Sequence, residues 1–215
     1  MLSHSEGFCG PVSEGWMVSE YFQVASATPG AAKAAIRARL LNDRREQNST
    51  ADDEALRRHL GALIRGTVAA FNPLPSEPGG VGLPEVLAAG ACRLLLPVLR
   101  ADLDLDWAQY TGTLTAAAFG LHEPDGPRLG PTAIGDADLV LVPAVAVDHR
   151  GVRLGRGGGS YDRALRRIGP HTLTIGVIYD RELVDELPEE AHDQRLAAVV
   201  TPSAGLVRLP LGPPE

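Results

Sequence analysis

The sequence predicts a three-layer α/β fold, in which a mostly parallel, Rossmann-like open sheet is covered by helices on both faces. Three observations predict it. Short apolar runs alternate with helical segments along the chain. Residues 138–143 (DLVLVP) are apolar at nearly every position, as in strands that are buried on both sides. The 215 residues, 44% of them hydrophobic, suffice for one large domain with its own core.

Five segments are predicted as strands and five as helices. The strands are residues 67–71, 93–98, 138–143, 172–179 and 198–201. The helices are residues 31–46, 52–64, 84–90, 131–137 and 160–167. The stretch between the second and third strands predicts a hairpin around residues 105–114, followed by an irregular loop over residues 116–130. A loop of that length in a compact domain more often has a function than serves only as a connection.

The alternating elements place a single domain at residues 30–205. Residues 1–29 show no sustained hydrophobic period and are interpreted as an N-terminal tail or extension, in which Met17 is an alternative start. Residues 206–215 (LVRLPLGPPE) are expected to form a flexible C-terminal tail.

Composition narrows the classes of partner. A formal net charge of −7 argues against nucleic acid, because nucleic-acid-binding domains are more often basic. Cys9 and Cys92 have no metal-type spacing and make no disulfide framework. No apolar run approaches the roughly 20 residues that span a bilayer, and no secretory signal is recognisable. We therefore expect a cytoplasmic monomer that binds neither nucleic acid nor membrane.

The strongest local signal is the segment over residues 148–165, DHRGVRLGRGGGSYDRAL. Four of the five residues at 155–159 are glycine, and Arg153 and Arg156 are set among them. Glycines let successive backbone N–H groups turn toward an anion that approaches the main chain. The helix that follows points its positive end at the same place, and guanidinium groups bind phosphate oxygens in pairs. The segment predicts a phosphate site beyond the carboxyl end of a strand.

Three other interpretations of this segment differ in how well the sequence supports them. A glycine-rich turn between a strand and a helix can be purely structural. A Walker A loop is excluded because no Gly-Lys-Ser/Thr occurs. A dinucleotide fingerprint matches poorly, because Ser160 stands where glycine or alanine is required and the loop lies late in the chain.

Lys33 is the only lysine in a chain that otherwise uses nineteen arginines. Its spacing of four from Arg37 places both side chains on one helix face; a solvated face is the competing interpretation. Asp162, in the first turn after the glycines, is either a helix-stabilising acid or a ligand for the Mg²⁺ that accompanies a nucleotide. Asp193, in AHDQR, is a candidate second carboxylate.

These residues resemble a known family. GVRLGRGGGSYDRAL is similar to the signature Arg-Leu-Gly-x-Gly-x-Gly-Tyr-Tyr-Asp-Arg of 5-formyltetrahydrofolate cyclo-ligases, also called methenyltetrahydrofolate synthetases. Further segments resemble the family in the expected order, over roughly residues 30–201: Lys33-AAI-Arg37, NPLPSEP around Glu77, LDWAQYTG, AFGLHEP, DLVLVPAVAVD and AHDQR. The resemblance implies a fold of the NagB/RpiA/CoA-transferase-like type.

The resemblance also implies an activity: ATP- and Mg²⁺-dependent cyclisation of 5-formyltetrahydrofolate to 5,10-methenyltetrahydrofolate, with release of ADP and phosphate. The formyl oxygen would be phosphorylated, and the folate N10 would then attack the activated carbon. Arg156 and Lys33 would be the catalytic residues, with Arg156 placed to touch both the γ-phosphate and the formyl group.

The resemblance assigns the remaining site residues as follows. ATP would be bound by Lys33, Arg37, Arg153, Leu154, Gly155, Arg156, Gly157, Gly158, Gly159, Ser160 and Tyr161. The reduced folate would be bound by Pro75, Glu77, Phe119, Arg156, Ser160 and Tyr161. Asp162 and Asp193 would hold Mg²⁺. Glu77 would accept hydrogen bonds from the pterin ring, unless it is an exposed loop acid, and Phe119 would pack on a folate ring or in the core.

Two positions depart from the family pattern, and both are expected near the folate pocket. Ser160 replaces the first tyrosine of the signature, and Gly79 and Gly80 follow Pro78 where the family often has Asp-Thr. These departures leave a non-catalytic folate-binding relative open. Because fold does not fix function, a sugar-phosphate isomerase or CoA-transferase-like enzyme on a related fold also stays open, as does a dinucleotide-dependent oxidoreductase.

Overall fold

The fold is that of a computed structural model, which describes residues 29–47 and 49–210. The predicted N-terminal extension, up to residue 28, lies outside the described residues, as do residues 211–215. The described helices are α1 (Pro29–Gln47), α2 (Thr50–Leu63), α3 (Leu83–Gly90) and α4 (Ser160–Leu165). Three 3-10 turns cover Ala118–Gly120, Pro131–Asp136 and Asp180–Glu182. Within this part of the chain, no helix combines the length and apolarity needed to cross a bilayer.

The strands of the described chain form a large sheet and two small ones. In chain order they are β1 (Thr67–Ala69), β2 (Arg93–Leu99), β3 (Leu105–Gln109), β4 (Leu114–Ala116), β5 (His122–Pro124), β6 (Leu139–Pro143), β7 (Ala146–Asp148), β8 (Arg153–Leu154), β9 (Leu173–Val177), β10 (Leu183–Val184), β11 (Ala198–Thr201) and β12 (Gly205–Arg208).

The central sheet has the strand order β12-β11-β9-β6-β1-β2-β3. Its five inner strands, from β11 to β2, pair in parallel, and both edge strands pair antiparallel. The expected mostly parallel sheet is therefore confirmed. The order of strands reverses around β1, since β2 lies on one side of it and β6 on the other. Crevices that bind ligands form at the carboxyl ends of strands at such reversals.

Helical segments cover both faces of the central sheet. α2 and α3 bury apolar side chains such as Leu56 and Leu87 in the core on one face. The 3-10 turn at Pro131–Asp136 and the short α4 contribute Ile134 and Leu165 to the core on the other face. This arrangement confirms three layers, although the second helical layer is thinner than the sequence predicted.

α1 packs on the small sheet β10-β7-β8. Leu40 belongs to a buried cluster with Leu154 of β8. The same side of α1 also buries two cations, Lys33 and Arg44. Arg44 donates to both carboxylate oxygens of Glu182 at 2.7 Å, which neutralises its charge inside the protein. This packing brings α1 over the segment that follows β8.

The hairpin predicted around residues 105–114 is wrong. β3 pairs with β2, and β4 pairs with β5. The chain reverses instead in residues 100–104, here named the 100–104 turn. Its geometry is local: Asp102 Oδ1 accepts from the N–H of Asp104 at 3.1 Å, and Leu103 adopts a φ of 62°. Aspartate side chains favour such turns because they accept hydrogen bonds from backbone N–H groups two residues further on.

Two further expectations differ from the structure. Residues 206–208, expected in a flexible tail, belong to β12, because β12 pairs along its length with β11 and Val207 packs against the core. The glycine-rich segment was expected beyond a strand of the open sheet. It follows β8, which lies in the small sheet beside β7.

Candidate active site

A cavity of about 450 Å³ opens at the carboxyl ends of β1, β2 and β6, which contribute Asn72, Leu99 and Pro143 to its wall. The glycine loop, residues 155–159, lines it as well, and so does Lys33 from α1. Its volume lies in the range of small-molecule sites. Five segments that are far apart in the sequence therefore meet around one space.

The backbone of the glycine loop requires its glycines. Gly157 has a φ of 103°, which side-chain-bearing residues rarely adopt. A Cβ atom on Gly155 would lie 2.5 Å from Nη1 of the buried Arg153. The amide groups of residues 157–159 donate no hydrogen bond to a described residue, so they are available to an anion.

Lys33 lies within the cavity wall and is buried. Its ammonium donates to Asp193 Oδ2 at 2.6 Å and to Glu190 Oε2 at 2.9 Å. Burial lowers the pKa of Lys33, but the hydrogen bonds to Asp193 and Glu190 outweigh burial and hold this pKa above its usual range. The pKa of Asp193 is lowered in turn, because the bonds from Lys33 and the Glu190 backbone outweigh its burial. The solvated helix face, the competing interpretation of Lys33, is wrong.

Arg37 connects α1 to the glycine loop directly. Its Nε donates to the carbonyl oxygen of Gly155 at 2.7 Å. The guanidinium carbon would lie 3.6 Å from a Cβ atom on Gly157, so the cation covers the middle of the loop. The predicted pairing of Lys33 and Arg37 on one face of the helix thus places both cations at the cavity.

Arg153 and Asp162 form an ion pair between β8 and α4. Arg153 Nη2 donates to Asp162 Oδ1 at 2.7 Å, and the arginine side chain is almost fully buried. The Nε of Arg153 is buried without a hydrogen-bond partner in the described chain, and the second carboxylate oxygen of Asp162 also has none there. Both residues line the cavity.

Arg156 and Glu77 form the second ion pair of the site. Arg156 Nε donates to Glu77 Oε1 at 2.7 Å, and the other oxygen of Glu77 accepts from the N–H of Leu74 at 3.0 Å. Glu77 is buried, so the exposed loop acid is wrong. The two terminal nitrogens of Arg156 donate to no residue in the described chain, and the side chain is 44% exposed.

The candidate metal ligands include two residues that the sequence analysis did not assign, Glu190 and His192. Asp162 and Asp193 both line the cavity, as predicted. Glu190, His192 and Asp193 each offer one ligand atom, and these atoms lie within 4.8 Å of one another. Carboxylate oxygens are the protein ligands that Mg²⁺ prefers. Glu190 lies only three residues before Asp193. Its carboxylate, so close in the sequence to a predicted ligand, could have identified it as a further candidate.

Three more predicted residues lie at the cavity. Tyr161 buries its hydroxyl without a hydrogen-bond partner in the described chain, and burial, reinforced by the charge of Glu77, raises the pKa of this phenol far above its usual value. Ser160 donates to the carbonyl oxygen of Leu103 at 2.6 Å. Leu154 lines the cavity beneath α1.

Two predicted folate residues do not line the cavity. Pro75 is exposed on a turn. Phe119 is 82% exposed with a φ of 59°, so neither a ring-stacking position within the cavity nor core packing describes it. Besides Glu77, the lining residues from these segments include Leu74, Leu121, His122 and Glu123. Asn72 was also missed; its amide donates to the carbonyl oxygen of His122 at 3.1 Å and ties the β4–β5 hairpin to the end of β1.

The glycine pair at residues 79–80 has a structural role. Both glycines have positive φ, 95° and 59°. A Cβ atom on Gly80 would lie 2.6 Å from Asp53 Oδ2, and one on Gly79 would lie 2.9 Å from the side chain of Leu83. Neither residue lines the cavity. The pair packs between α2 and α3 and lies beside the cavity residue Glu77, whose carbonyl oxygen accepts from the N–H of Gly80 at 3.2 Å.

Comparison with known proteins places this arrangement in a family. A model of the 5-formyltetrahydrofolate cyclo-ligase family matches residues 29–202. The 5-formyltetrahydrofolate cyclo-ligase of Mycolicibacterium smegmatis is 46% identical over 188 residues, covering 82% of this chain and 97% of that protein. The Escherichia coli K12 enzyme of the same name is 36% identical over 146 residues, covering 66% of this chain and 80% of its own length.

Solved structures agree with this comparison. The NMR structure of 5,10-methenyltetrahydrofolate synthetase from Aquifex aeolicus superposes with a TM-score of 0.66 at 28% identity, covering 85% of this chain and 95% of that one. A 5,10-methenyltetrahydrofolate synthetase from Mycoplasma pneumoniae shares the fold, with a TM-score of 0.61 at 23% identity over 78% of this chain and 96% of that one. The resemblance is confirmed: the chain belongs to the 5-formyltetrahydrofolate cyclo-ligase family of ligases.

Proposed function

We propose that this chain converts 5-formyltetrahydrofolate to 5,10-methenyltetrahydrofolate, consuming ATP and releasing ADP and phosphate. The observation that carries the proposal is that one cavity is lined both by cations from α1 and the glycine loop and by the buried carboxylate of Glu77. Arg156, from the glycine loop, donates to Glu77 and so links the two sets of residues.

The cations and backbone amides that line the cavity suit a triphosphate. The free amides of residues 157–159 would bind phosphate oxygens, with Arg37 above the loop and Arg153 behind it. Lys33 would complete this set from α1. Most catalysis of phosphoryl transfer comes from positioning and charge neutralisation, and a rigid cationic pocket supplies both.

The folate suits the remaining lining of the cavity. Apolar side chains, including Phe71, Leu99 and Leu121, line the same cavity as Glu77 and provide surface for the flat rings. Glu77 would accept hydrogen bonds from the N–H groups of the pterin. Because Arg156 binds Glu77 through Nε alone, its two terminal nitrogens stay available at the boundary between nucleotide and folate.

The reaction needs the γ-phosphate aligned with the formyl oxygen. In the first step the bond between the γ-phosphorus and the bridging oxygen breaks, and the formyl oxygen bonds to phosphorus. N10 of the folate then attacks the formyl carbon and loses its proton, and the carbon–oxygen bond breaks to release phosphate. Arg156 would neutralise the charge that moves between these oxygens.

The acidic residues of the cavity suit a magnesium ion. Asp162 and Asp193 would hold it, with Glu190 close to Asp193. When bound, Mg²⁺ neutralises phosphate charge. In the structure both aspartates are paired with cations, Arg153 and Lys33, and so are already held at the cavity wall. We also propose that the chain works as a cytoplasmic monomer.

The test is an absorbance assay for methenyltetrahydrofolate, with 5-formyltetrahydrofolate, ATP and Mg²⁺ supplied together and then omitted singly. We expect product only when all three are present. Binding of folate and ATP without any product would support the non-catalytic relative, and turnover of a sugar phosphate without ATP would support an isomerase.

A further inference from the structure

The 100–104 turn contacts the end of the glycine loop through one carbonyl group. The carbonyl oxygen of Leu103 accepts from Ser160 Oγ and from Arg163 Nη2, each at 2.6 Å. The same nitrogen of Arg163 donates to the carbonyl oxygen of Gly158 at 3.1 Å. Arg163 therefore joins the turn to the loop, and Ser160 adds a second bond.

Asp104 fixes the other side of this contact. Its two carboxylate oxygens accept from Arg167 Nη1 at 2.9 Å and Nη2 at 2.6 Å, a bidentate pair that holds the segment after α4. The hydrogen bonds from Arg167 hold the pKa of Asp104 below its usual range. Arg163 Nε lies 3.9 Å from Asp104 Oδ1 and has no hydrogen-bond partner within the described chain.

The turn itself is held in an uncommon conformation. Leu103 has a φ of 62°, a region that few residues other than glycine, asparagine and aspartate occupy. Its side chain is 46% exposed, so apolar packing does not explain the position. This conformation directs the carbonyl group of Leu103 toward Ser160 and Arg163. Strained residues persist where their surroundings fix them, and they cluster at functional sites.

The glycine loop needs such outside support. Its amides at residues 157–159 have no described acceptor, so the loop is held through its carbonyl groups. Arg37 binds the carbonyl oxygen of Gly155 at one end, and Arg163 binds that of Gly158 at the other. The first support comes from α1 and the second depends on the 100–104 turn.

We propose that Asp104 and the Leu103 carbonyl group are positioning elements for the glycine loop, acting through Arg163, Arg167 and Ser160. They hold the loop amides in the arrangement that receives the nucleotide. The serine that departs from the family signature takes part, because its short hydroxyl reaches Leu103. The consequence for ATP rests on the proposed function, whereas the consequence for the loop itself does not.

The decisive variant is Asp104→Asn, and the matched control is Asp102→Asn. Both changes remove one carboxylate charge from the same turn, but Asp102 pairs only with Arg100 and the turn backbone. In native-state digestion with trypsin, we expect cleavage after Arg156 to accelerate roughly two- to thirty-fold in Asp104→Asn, the range for coupling through contact networks. Asp102→Asn should match the unmodified protein, and Asp104→Glu should recover part of the protection.

Cleavage after Arg93, in β2 of the central sheet, reports global opening and should not change. Equal cleavage after Arg156 in the two asparagine variants, or equal acceleration at Arg93 and Arg156, would overturn the proposal. In the absorbance assay, Asp104→Asn should raise the KM for ATP within the same range and leave kcat nearly unchanged. If the unmodified chain forms no product, the proposed function fails, while the digestion still decides the role of the turn.

Discussion

The cations of the site are oriented before any ligand arrives. Arg156 is held by Glu77, Arg153 by Asp162, and Arg37 by the carbonyl group of Gly155, each through a contact of 2.7 Å. A side chain that is already ordered loses less conformational entropy when it binds. These pairs thus combine two properties that phosphoryl transfer requires, fixed geometry and concentrated positive charge.

Arg156 provides the sharpest test of this arrangement. Arg156→Ala should lower kcat by ~10²–10³, the loss seen when one charge-stabilising donor is removed from a transition state. Arg58→Ala is the control, because Arg58 is exposed on α2 and does not line the cavity. Initial rates at saturating ATP and folate give the comparison. Full turnover in Arg156→Ala would remove this residue from the mechanism.

Lys33 should act mainly on the nucleotide. Lys33→Ala should raise the KM for ATP roughly tenfold or more, since hydrogen bonds to charged groups contribute ~1.5–3 kcal/mol. The KM for folate should change much less. Lys33 pairs with Asp193 and Glu190, whereas Glu77, the proposed pterin ligand, bonds to Arg156. Rates measured against each substrate in turn separate the two effects. An unchanged dependence on ATP would contradict this role.

Single residues differ in how far the sequence predicts them. The unique lysine and its spacing from Arg37 identified a pair that does face the cavity. The pairing of Arg156 with Glu77 was beyond the sequence, because the two residues are 79 positions apart and meet only through the fold. The packing of Gly80 was beyond the sequence for a similar reason, because its neighbour Asp53 comes from α2.

Among the elements, the glycine loop depends most on its backbone. Gly157 and Gly159 have positive φ, which a Cβ atom disfavours, and the amides of residues 157–159 have no acceptor among the described residues. The short α4, six residues long, adds little dipole of its own, so the loop amides are the main neutral donors. Substitutions in the loop should therefore affect nucleotide binding in addition to stability.

Gly157→Ala tests this with a close control. Gly157 has a φ of 103° and Gly112, in open space after β3, has a φ of 97°. Alanine should cost ~1–3 kcal/mol of backbone strain at either position. Only Gly157→Ala should raise the KM for ATP. Denaturant unfolding and steady-state kinetics on both variants measure the two effects; equal kinetics would exclude a role for the loop conformation.

The elements were predicted best where hydrophobic pattern alone decides them. Residues 198–201 form β11 with the predicted bounds, and the apolar run of β6 is buried along nearly its whole length. The prediction failed for elements whose formation depends on contacts with other parts of the chain. The hairpin depends on the 100–104 turn, which side chains from α4 hold, and β12 exists because β11 offers it an edge.

For the molecule as a whole, the site depends on where α1 lies. Its inner face carries the cations Lys33, Arg37 and Arg44 in addition to Leu40. Arg44 is 1% exposed and its partner Glu182 5% exposed, so their ion pair is part of the interior. Burial raises the pKa of Glu182 even though Arg44 opposes this effect.

Arg44→Met should therefore destabilise the protein by ~3–5 kcal/mol, because it leaves a buried carboxylate without its partner. The loss depends on pH. A carboxyl group whose folded pKa is raised contributes stability below its unfolded pKa, about 4.3, and this contribution disappears as pH rises through the folded pKa. Unfolding measured from pH 4 to 8 should show a growing deficit. Arg39→Met, at an exposed position of α1, should show none.

The segments that form the cavity were predicted from their order along the chain. Their resemblance to a family indicated that α1, the end of β1 and the glycine loop belong to one site, and the structure brings these segments together. Which side chains of each segment face inward was harder, as Pro75 and Phe119 show. The direction of these side chains depends on the geometry of the turns after β1 and between β4 and β5. It cannot be predicted from the sequence in the same way, because turns lack a hydrophobic period.

The solitary primary amine of α1 has a practical consequence. Because Lys33 is the one lysine in the sequence, an acylating reagent has no other side-chain amine to modify. Its raised pKa and its two carboxylate partners keep it protonated, which slows that reaction. The mass added to this helix, measured over time, would therefore follow how ligands alter access to the cavity, without any dye or engineered label.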